Sequence, residues 1–155
     1  FTENIPADVK VGWRTIGVSG TRIQAIAEIM SDVILEEQEN RQFELEMVAG
    51  LTNNGIPLAT LISDILGLDF GMIRPSRGEG NETNYASNYA GLNDKHIVVV
   101  DDVLSTGSTA TEAIDFVRKE GGTPVLAIVL INKKADDEIN GVPLRALIRA
   151  RPVRE

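Results

Sequence analysis

Val98-Val99-Val100-Asp101-Asp102-Val103-Leu104-Ser105-Thr106-Gly107-Ser108-Thr109 is the stretch on which the reading of this sequence turns. Its three valines continue Ile97, and a run of β-branched apolar residues is typical of a strand buried on both faces. Two adjacent carboxylates follow, then a short loop of hydroxyl side chains around one glycine. Ser108 to Glu120 next carries Ala110, Ala113, Ile114 and Val117 on one helical stripe, closed by Gly121-Gly122. Such a strand–loop–helix has a physical use. Backbone N–H groups at a helix N-terminus attract a phosphate. Gly107 allows close approach and a positive φ, and Ser105, Thr106, Ser108 and Thr109 add hydroxyl donors. Carboxylates do not bind phosphate, but they suit ribose hydroxyls or a hydrated Mg²⁺. Side by side, the two features predict a sugar-phosphate site. A Walker A loop would need a Gly-Lys-Ser/Thr ending, which this loop lacks.

Outward from this stretch, strands alternate with helices. Asp8 to Ile16, with Trp13, reads as a short strand. Thr21 to Glu37 has helical spacing, with Ser19 or Thr21 as N-cap. Glu36, Glu37 and Glu39 oppose the helix dipole at its C-terminal end, which predicts fraying there. Phe43 to Ala49 alternates as a strand. Gly50-Leu51-Thr52-Asn53-Asn54-Gly55 is a loop, and Ile56 to Leu66 is a helix stopped by Gly67. Phe70 to Ile73 is a short strand. Arg74 to Gly91 is polar and Gly-rich, either a functional loop or a hairpin; in it, Tyr85 and Tyr89 either stack on a nucleobase or shape the hairpin. Pro124 to Ile131 is a second buried strand, and Leu144 to Ile148 a last edge strand. The pattern predicts one α/β domain over residues 1–155, with a mainly parallel sheet flanked by helices. Ligands bind such sheets at the carboxyl ends of the strands.

Composition sets outer bounds. The chain has 155 residues and no cysteine, so there is no disulfide framework and no thiolate metal site. That fits a cytoplasmic protein. No apolar run approaches the roughly 20 residues needed to cross a bilayer as a helix. A net charge of −8 opposes binding to a polyphosphate backbone. Arg145, Arg149, Arg151 and Arg154 read as a solvated, basic end, and the single histidine, His96, as a surface residue. The first residue is Phe1, so the chain reads as part of a longer protein, with residues missing ahead of it.

The 98–109 stretch resembles the signature that binds phosphoribosyl diphosphate (PRPP) in the type I phosphoribosyltransferases. Apolar strand, acidic pair, spacer, Ser/Thr pair, Gly and Ser/Thr all stand in register. The resemblance implies that Asp101 and Asp102 hold the ribose 2- and 3-hydroxyls, and that Ser105, Thr106, Gly107, Ser108 and Thr109 hold the 5-phosphate. Mg²⁺ would arrive with PRPP, reaching Asp101 and Asp102 through water at most. Thr52-Asn53-Asn54-Gly55, followed by Ile56-Pro57-Leu58-Ala59, resembles the pyrophosphate loop of the orotate branch. Asn54 stands where those enzymes usually carry lysine. Arg74-Pro75-Ser76-Arg77-Gly78-Glu79-Gly80-Asn81 occupies the place of their mobile catalytic loop. Arg74 and Gly78-Glu79-Gly80 match, and Arg77 is a second basic residue, but the family's lysines, aspartate and histidine are missing.

Nearly the whole chain, from about Val9 onward, is similar to the archaeal orotate phosphoribosyltransferase-like regulators, which join an N-terminal helix-turn-helix to this fold. The resemblance implies a fold with a small hood built from the chain ends, and a homodimer. It implies a PRPP-binding domain that senses its ligand for a transcription regulator and reaches DNA only through an N-terminal domain missing here. The other reading is an active Mg²⁺-dependent transferase acting on orotate or a purine, with a nucleobase or nucleotide as second ligand and Arg74 and Arg77 as catalytic residues. The depleted loop and the absent lysine favour the sensor.

Overall fold

The computed structural model describes residues 19–77 and 83–151, and of 75–77 and 83–88 the backbone only. The expected Asp8–Ile16 strand lies outside these residues. Among the described residues ten elements follow in order: α1 (Gly20–Arg41), β1 (Met47–Leu51), α2 (Gly55–Leu66), β2 (Asp69–Arg77), β3 (Thr83–Tyr89), β4 (His96–Leu104), α3 (Ser108–Lys119), β5 (Thr123–Asn132), β6 (Glu138–Ile139) and β7 (Val142–Arg149). The strands form one sheet in the order β3-β2-β1-β4-β5-β7-β6. The five from β2 to β7 are mutually parallel, and β3 and β6 add antiparallel edges.

Alternation along the strands divides the core into two layers. Met47, Ala49, Ile97, Val99, Ala127 and Val129 face α3, against Ala113, Ile114 and Val117. Val48, Val98, Val100, Leu126 and Ile128 face α1 and α2, against Met30, Ile34, Leu58 and Ile62. Ile97, Val98 and Val100 have no exposed surface, so the apolar run before Asp101 is the middle of a strand covered on both sides.

Several boundaries differ from the sequence reading, each for a reason of pairing. β1 begins at Met47, not Phe43, because its neighbours begin there: Met47 pairs with Asp69 and with Ile97. Phe43 and Leu45 instead pack, half-buried, against the α1–α2 layer. β2 runs on to Arg77 because β3 supplies a partner beyond the end of β1. Pro75 falls in that outer part, where β2 is an edge strand and a missing N–H is tolerated. The polar stretch after Arg74 is therefore a hairpin. β4 extends through both aspartates to Leu104. β7 is not the edge strand, since the two-residue β6 covers it.

The expected fraying of α1 does not occur. Ser19 caps its start, its Oγ accepting from Arg22 N–H at 3.3 Å. The helix runs to Arg41, with Gln42 left-handed at its end. Glu37 is buried and accepts from Arg41 Nε and from Arg145 Nη1 on β7. The arginines expected in a solvated tail are thus partly structural. Arg145 locks helix to sheet, and Arg149 pairs with Asp137 while donating to Ala135 O at 3.2 Å. Burial acts to raise the Glu37 pKa, but the hydrogen bonds and charges of Arg41 and Arg145 outweigh it and hold the carboxyl below its ordinary 4.5.

Glu37→Gln should lower the unfolding free energy by about 1–2 kcal/mol at pH 7, because both arginine partners keep access to solvent. The folded-state pKa is depressed, so this stabilisation is present above pH 4.5 and is lost as pH falls through the lower folded value. Urea denaturation of both proteins at pH 7 and at progressively lower pH measures the difference.

Candidate functional site

The carboxyl ends of β1, β4 and β5 lie side by side, and each continues into a segment with polar side chains. β4 ends at Leu104, and Ser105, Thr106 and Gly107 turn the chain into α3. Gly107 has φ 84°, the left-handed conformation its position requires. Thr111 N–H makes a helical bond to Gly107 C=O at 2.9 Å, so the N–H groups just ahead of it belong to the turn that a helix leaves without internal partners. Thr106 Oγ1 lies 3.0 Å from Ser108 Oγ and accepts from Ser108 N–H at 3.3 Å, which holds the loop closed. A cleft of ≈ 180 Å³ opens here, lined by Asp101, Leu104, Ser105, Thr106, Gly107 and Thr109 among others.

Of the acidic pair, Asp101 lines the cleft. Its Oδ1 accepts from Asp102 N–H at 2.8 Å, and Asp102 Oδ1 accepts from Val103 N–H at 2.7 Å. Burial pushes the Asp101 carboxyl up to about 8, and the neighbouring Asp102 carboxyl pushes the same way, against the opposing effect of the Asp102 N–H. Asp101 on its own thus holds a proton at neutral pH. A cation or a set of hydroxyl donors beside it would favour the ionised form.

The Thr52–Gly55 loop is brought against this strand. A Cβ built on Gly55 would stand 2.4 Å from Val100 O and 3.1 Å from Asp101 Cα, so only glycine lets α2 start this close to β4. Asn53 and Asn54 are exposed, and the Thr52–Asn53 peptide is cis. Thr52 N–H donates to Ile73 O at 3.1 Å, which ties the loop to β2 one residue before Arg74. Arg74 is exposed at this edge of the sheet. Arg77 pairs through its backbone with Thr83 farther out along the hairpin. Its side chain, Gly78-Glu79-Gly80 and the side chain of Tyr85 lie outside the described residues. Tyr89 is exposed and its ring lies 5.2 Å from that of Phe70, so it packs at the foot of the hairpin.

At the opposite, amino end of the sheet, His96 sits beside Glu44 and Glu46. Its backbone N–H donates to Glu46 Oε2 at 2.7 Å and its ring Nδ1 lies 3.3 Å from the same oxygen. Among the described residues these three form the one cluster spaced for a metal ion, and two of them are exposed. The cluster stands away from the cleft.

The sequence profile of the phosphoribosyl transferase domain matches residues 12–139, most of the chain and all of the cleft. The chain belongs to the phosphoribosyl transferase domain family. Within it, this chain is similar to the transcriptional regulator GfcR of Thermoplasma acidophilum, at 45% identity over 97% of this chain and 76% of that one. The transcriptional regulator GfcR of Picrophilus torridus is 46% identical, over 95% and 75%. In fold the chain resembles the orotate phosphoribosyltransferase of Mycobacterium tuberculosis in complex with PRPP, with TM-score 0.70 and 21% identity over 92% of this chain and 81% of that one. The orotate phosphoribosyltransferase of Aeropyrum pernix superposes with TM-score 0.68 at 24% identity, over 96% and 83%.

One segment beside the cleft carries no local signal of its position in the sequence. Directly after β5, Lys133-Lys134 follows the buried Asn132, and the chain from there to Asn140 packs against the Ser105–Gly107 loop and α3. A Cβ built on Gly107 would meet Ile139 Cδ1 at 2.9 Å and Lys134 Nζ at 3.7 Å. Asn140 Nδ2 donates to Thr111 O at 3.0 Å and to Asp115 Oδ1 at 2.8 Å. The signal was a basic pair at the end of a buried strand, legible only once β5 is known to lie next to β4.

The raised Asp101 pKa has a consequence for stability. The folded protein keeps the proton up to about pH 8, while the unfolded chain gives it up near 3.8, so the group costs progressively more stability as pH rises between those values. Asp101→Asn should therefore melt above the wild type, with a gap that widens from pH 5 to pH 8. Paired thermal melts at the two pH values read this; a constant or shrinking gap would contradict the burial of Asp101.

Proposed function

We propose that this domain binds PRPP or a related phosphoribosyl ligand with Mg²⁺ and serves as the ligand-sensing part of a transcription regulator. The observation that supports the reading is a cleft lined by Asp101, Ser105, Thr106, Gly107 and Thr109 in a chain 45% identical, over 97% of its length, to a protein named a transcriptional regulator. In this reading Ser105 to Thr109 receive the 5-phosphate at the N-terminus of α3. Asp101 and Asp102 receive the ribose hydroxyls, and the Thr52–Gly55 loop, held to β2 by Thr52 N–H, offers the backbone amides of Asn53, Asn54 and Gly55 to the diphosphate. Mg²⁺ suits this donor set, being a hard cation that keeps its waters and bridges carboxylates to phosphates. Its charge would draw Asp101 into the ionised form.

The regulator would work in the cytoplasm, and no helix among the described residues is long and apolar enough to cross a membrane. DNA would be reached through a domain outside this chain, since the acidic balance of −8 disfavours direct contact. A homodimer would cover apolar surface that α1 and α2 leave exposed at Ile29, Leu35 and Ile65.

A second reading is supported by the hairpin, which carries Arg74 to the rim of the same edge. It is an active transferase in which Arg74 and Arg77 stabilise the departing pyrophosphate and a nucleobase is the acceptor. The loop composition weighs against fast turnover, because no lysine or histidine stands between Arg74 and Tyr89.

Phosphorus NMR of PRPP with Mg²⁺, the protein and a mixture of orotate and purine bases separates the two. Intact PRPP with broadened lines is the expected result; pyrophosphate accumulating above a protein-free control would establish the transferase instead. The double substitution Asp101→Asn with Asp102→Asn should abolish PRPP binding in calorimetry, since charge-assisted hydrogen bonds to the ribose are lost. Unchanged affinity would remove the two aspartates from the site.

A further inference from the structure

The 101–109 stretch contains two aspartates and no basic residue. A phosphate dianion held there would meet neutral hydroxyls, helix N–H groups and, at the rim, two carboxylates. The partial positive charge of a helix N-terminus is about half an elementary charge, which leaves most of the dianion uncompensated. A nearby cation would offset the rest, and the fold brings one in on the turn that follows β5. Lys134 Nζ stands 3.7 Å from the Cβ position of Gly107, at the centre of the loop.

This placement is built. Asn132, buried at the end of β5, accepts from Lys134 N–H through Oδ1 at 2.8 Å and donates from Nδ2 to Asp136 O at 3.1 Å. The turn that carries Lys134 is therefore folded around a buried amide. Arg149 braces the same turn through Ala135 O and Asp137. Arg118 Nη2 and the Asn140 side chain fasten the following chain to α3. The Lys134 side chain is 39% exposed, stands beside the cleft rather than lining it, and pairs with Asp136 Oδ2 at 3.3 Å.

We propose that Lys134 is the cation that receives the ligand's terminal phosphate, that Asp136 competes with that phosphate for it, and that Asn132 is the positioning residue that presents it. The assignment rests on the reading of the Ser105–Thr109 loop as a phosphate site. An exposed ion pair contributes little, so a phosphate on the adjoining loop can take over the ammonium while Asp136 turns to solvent.

The test is calorimetric titration of this chain with ribose 5-phosphate, which carries the terminal phosphate without the diphosphate, and with PRPP plus Mg²⁺. Lys134→Met should weaken ribose 5-phosphate binding roughly tenfold, the weight of one charge-assisted contact, and flatten its salt dependence. Lys134→Arg should restore most of it. Asp136→Asn should tighten binding, a result that a purely structural ion pair would not produce, and it remains informative if Lys134→Met folds poorly. Wild-type binding that Lys134→Met leaves unchanged, or weaker binding by Asp136→Asn, would overturn this inference and leave the phosphate site standing. Failure of the wild type to bind either ligand would overturn both.

Discussion

Everything at the candidate site depends on β4 being covered on both faces up to Asp101. A strand enclosed between two helical layers admits only apolar side chains, so polar chemistry is confined to the place where the layers end. For β4 that place is Asp101, and the same limit applies to β1 at Leu51 and to β5 at Asn132. Parallel pairing aligns the three ends along one edge. The chemistry gathers there because the core leaves no other position for it.

The closeness of these ends is controlled by two glycines. Gly55 starts α2 against the backbone of Val100 and Asp101, and any side chain there would collide with a carbonyl. Gly107 turns the chain at positive φ beneath Ile139 and Lys134. One glycine brings the loop after β1 to the carboxylates, and the other brings the segment after β5 to the loop before α3. The burial of Asp101 follows from this crowding, and its raised pKa follows from the burial.

A second constraint acts at the far side of the sheet. The Glu37 carboxylate joins α1 to β7 through Arg145 and closes on Arg41 within its own helix. Because β7 is held, Arg149 is in place to brace the 133–137 turn. The basic residues near the C-terminus thus contribute to the order of the site edge, although they share no sequence neighbourhood with it.

The sequence by itself determined the alternation of strands and helices, the buried run Ile97–Val100, the acidic pair and the glycine-centred loop. These are local properties: periodicity, β-branching and turn chemistry depend on residues close together in the chain. Only the tertiary structure decided where β1 begins, that the stretch after Arg74 is a hairpin, that α1 holds to Arg41, and that Lys134 stands beside Gly107. Each of those depends on a partner far away in sequence: a neighbouring strand to pair with, an arginine 108 positions on for Glu37, or an adjacent strand end for Lys134. Acidic residues at a helix end predict fraying until an arginine from a distant strand is known to meet the buried Glu37. A lysine after an apolar run has no visible neighbour until the sheet order sets it against the loop at Gly107.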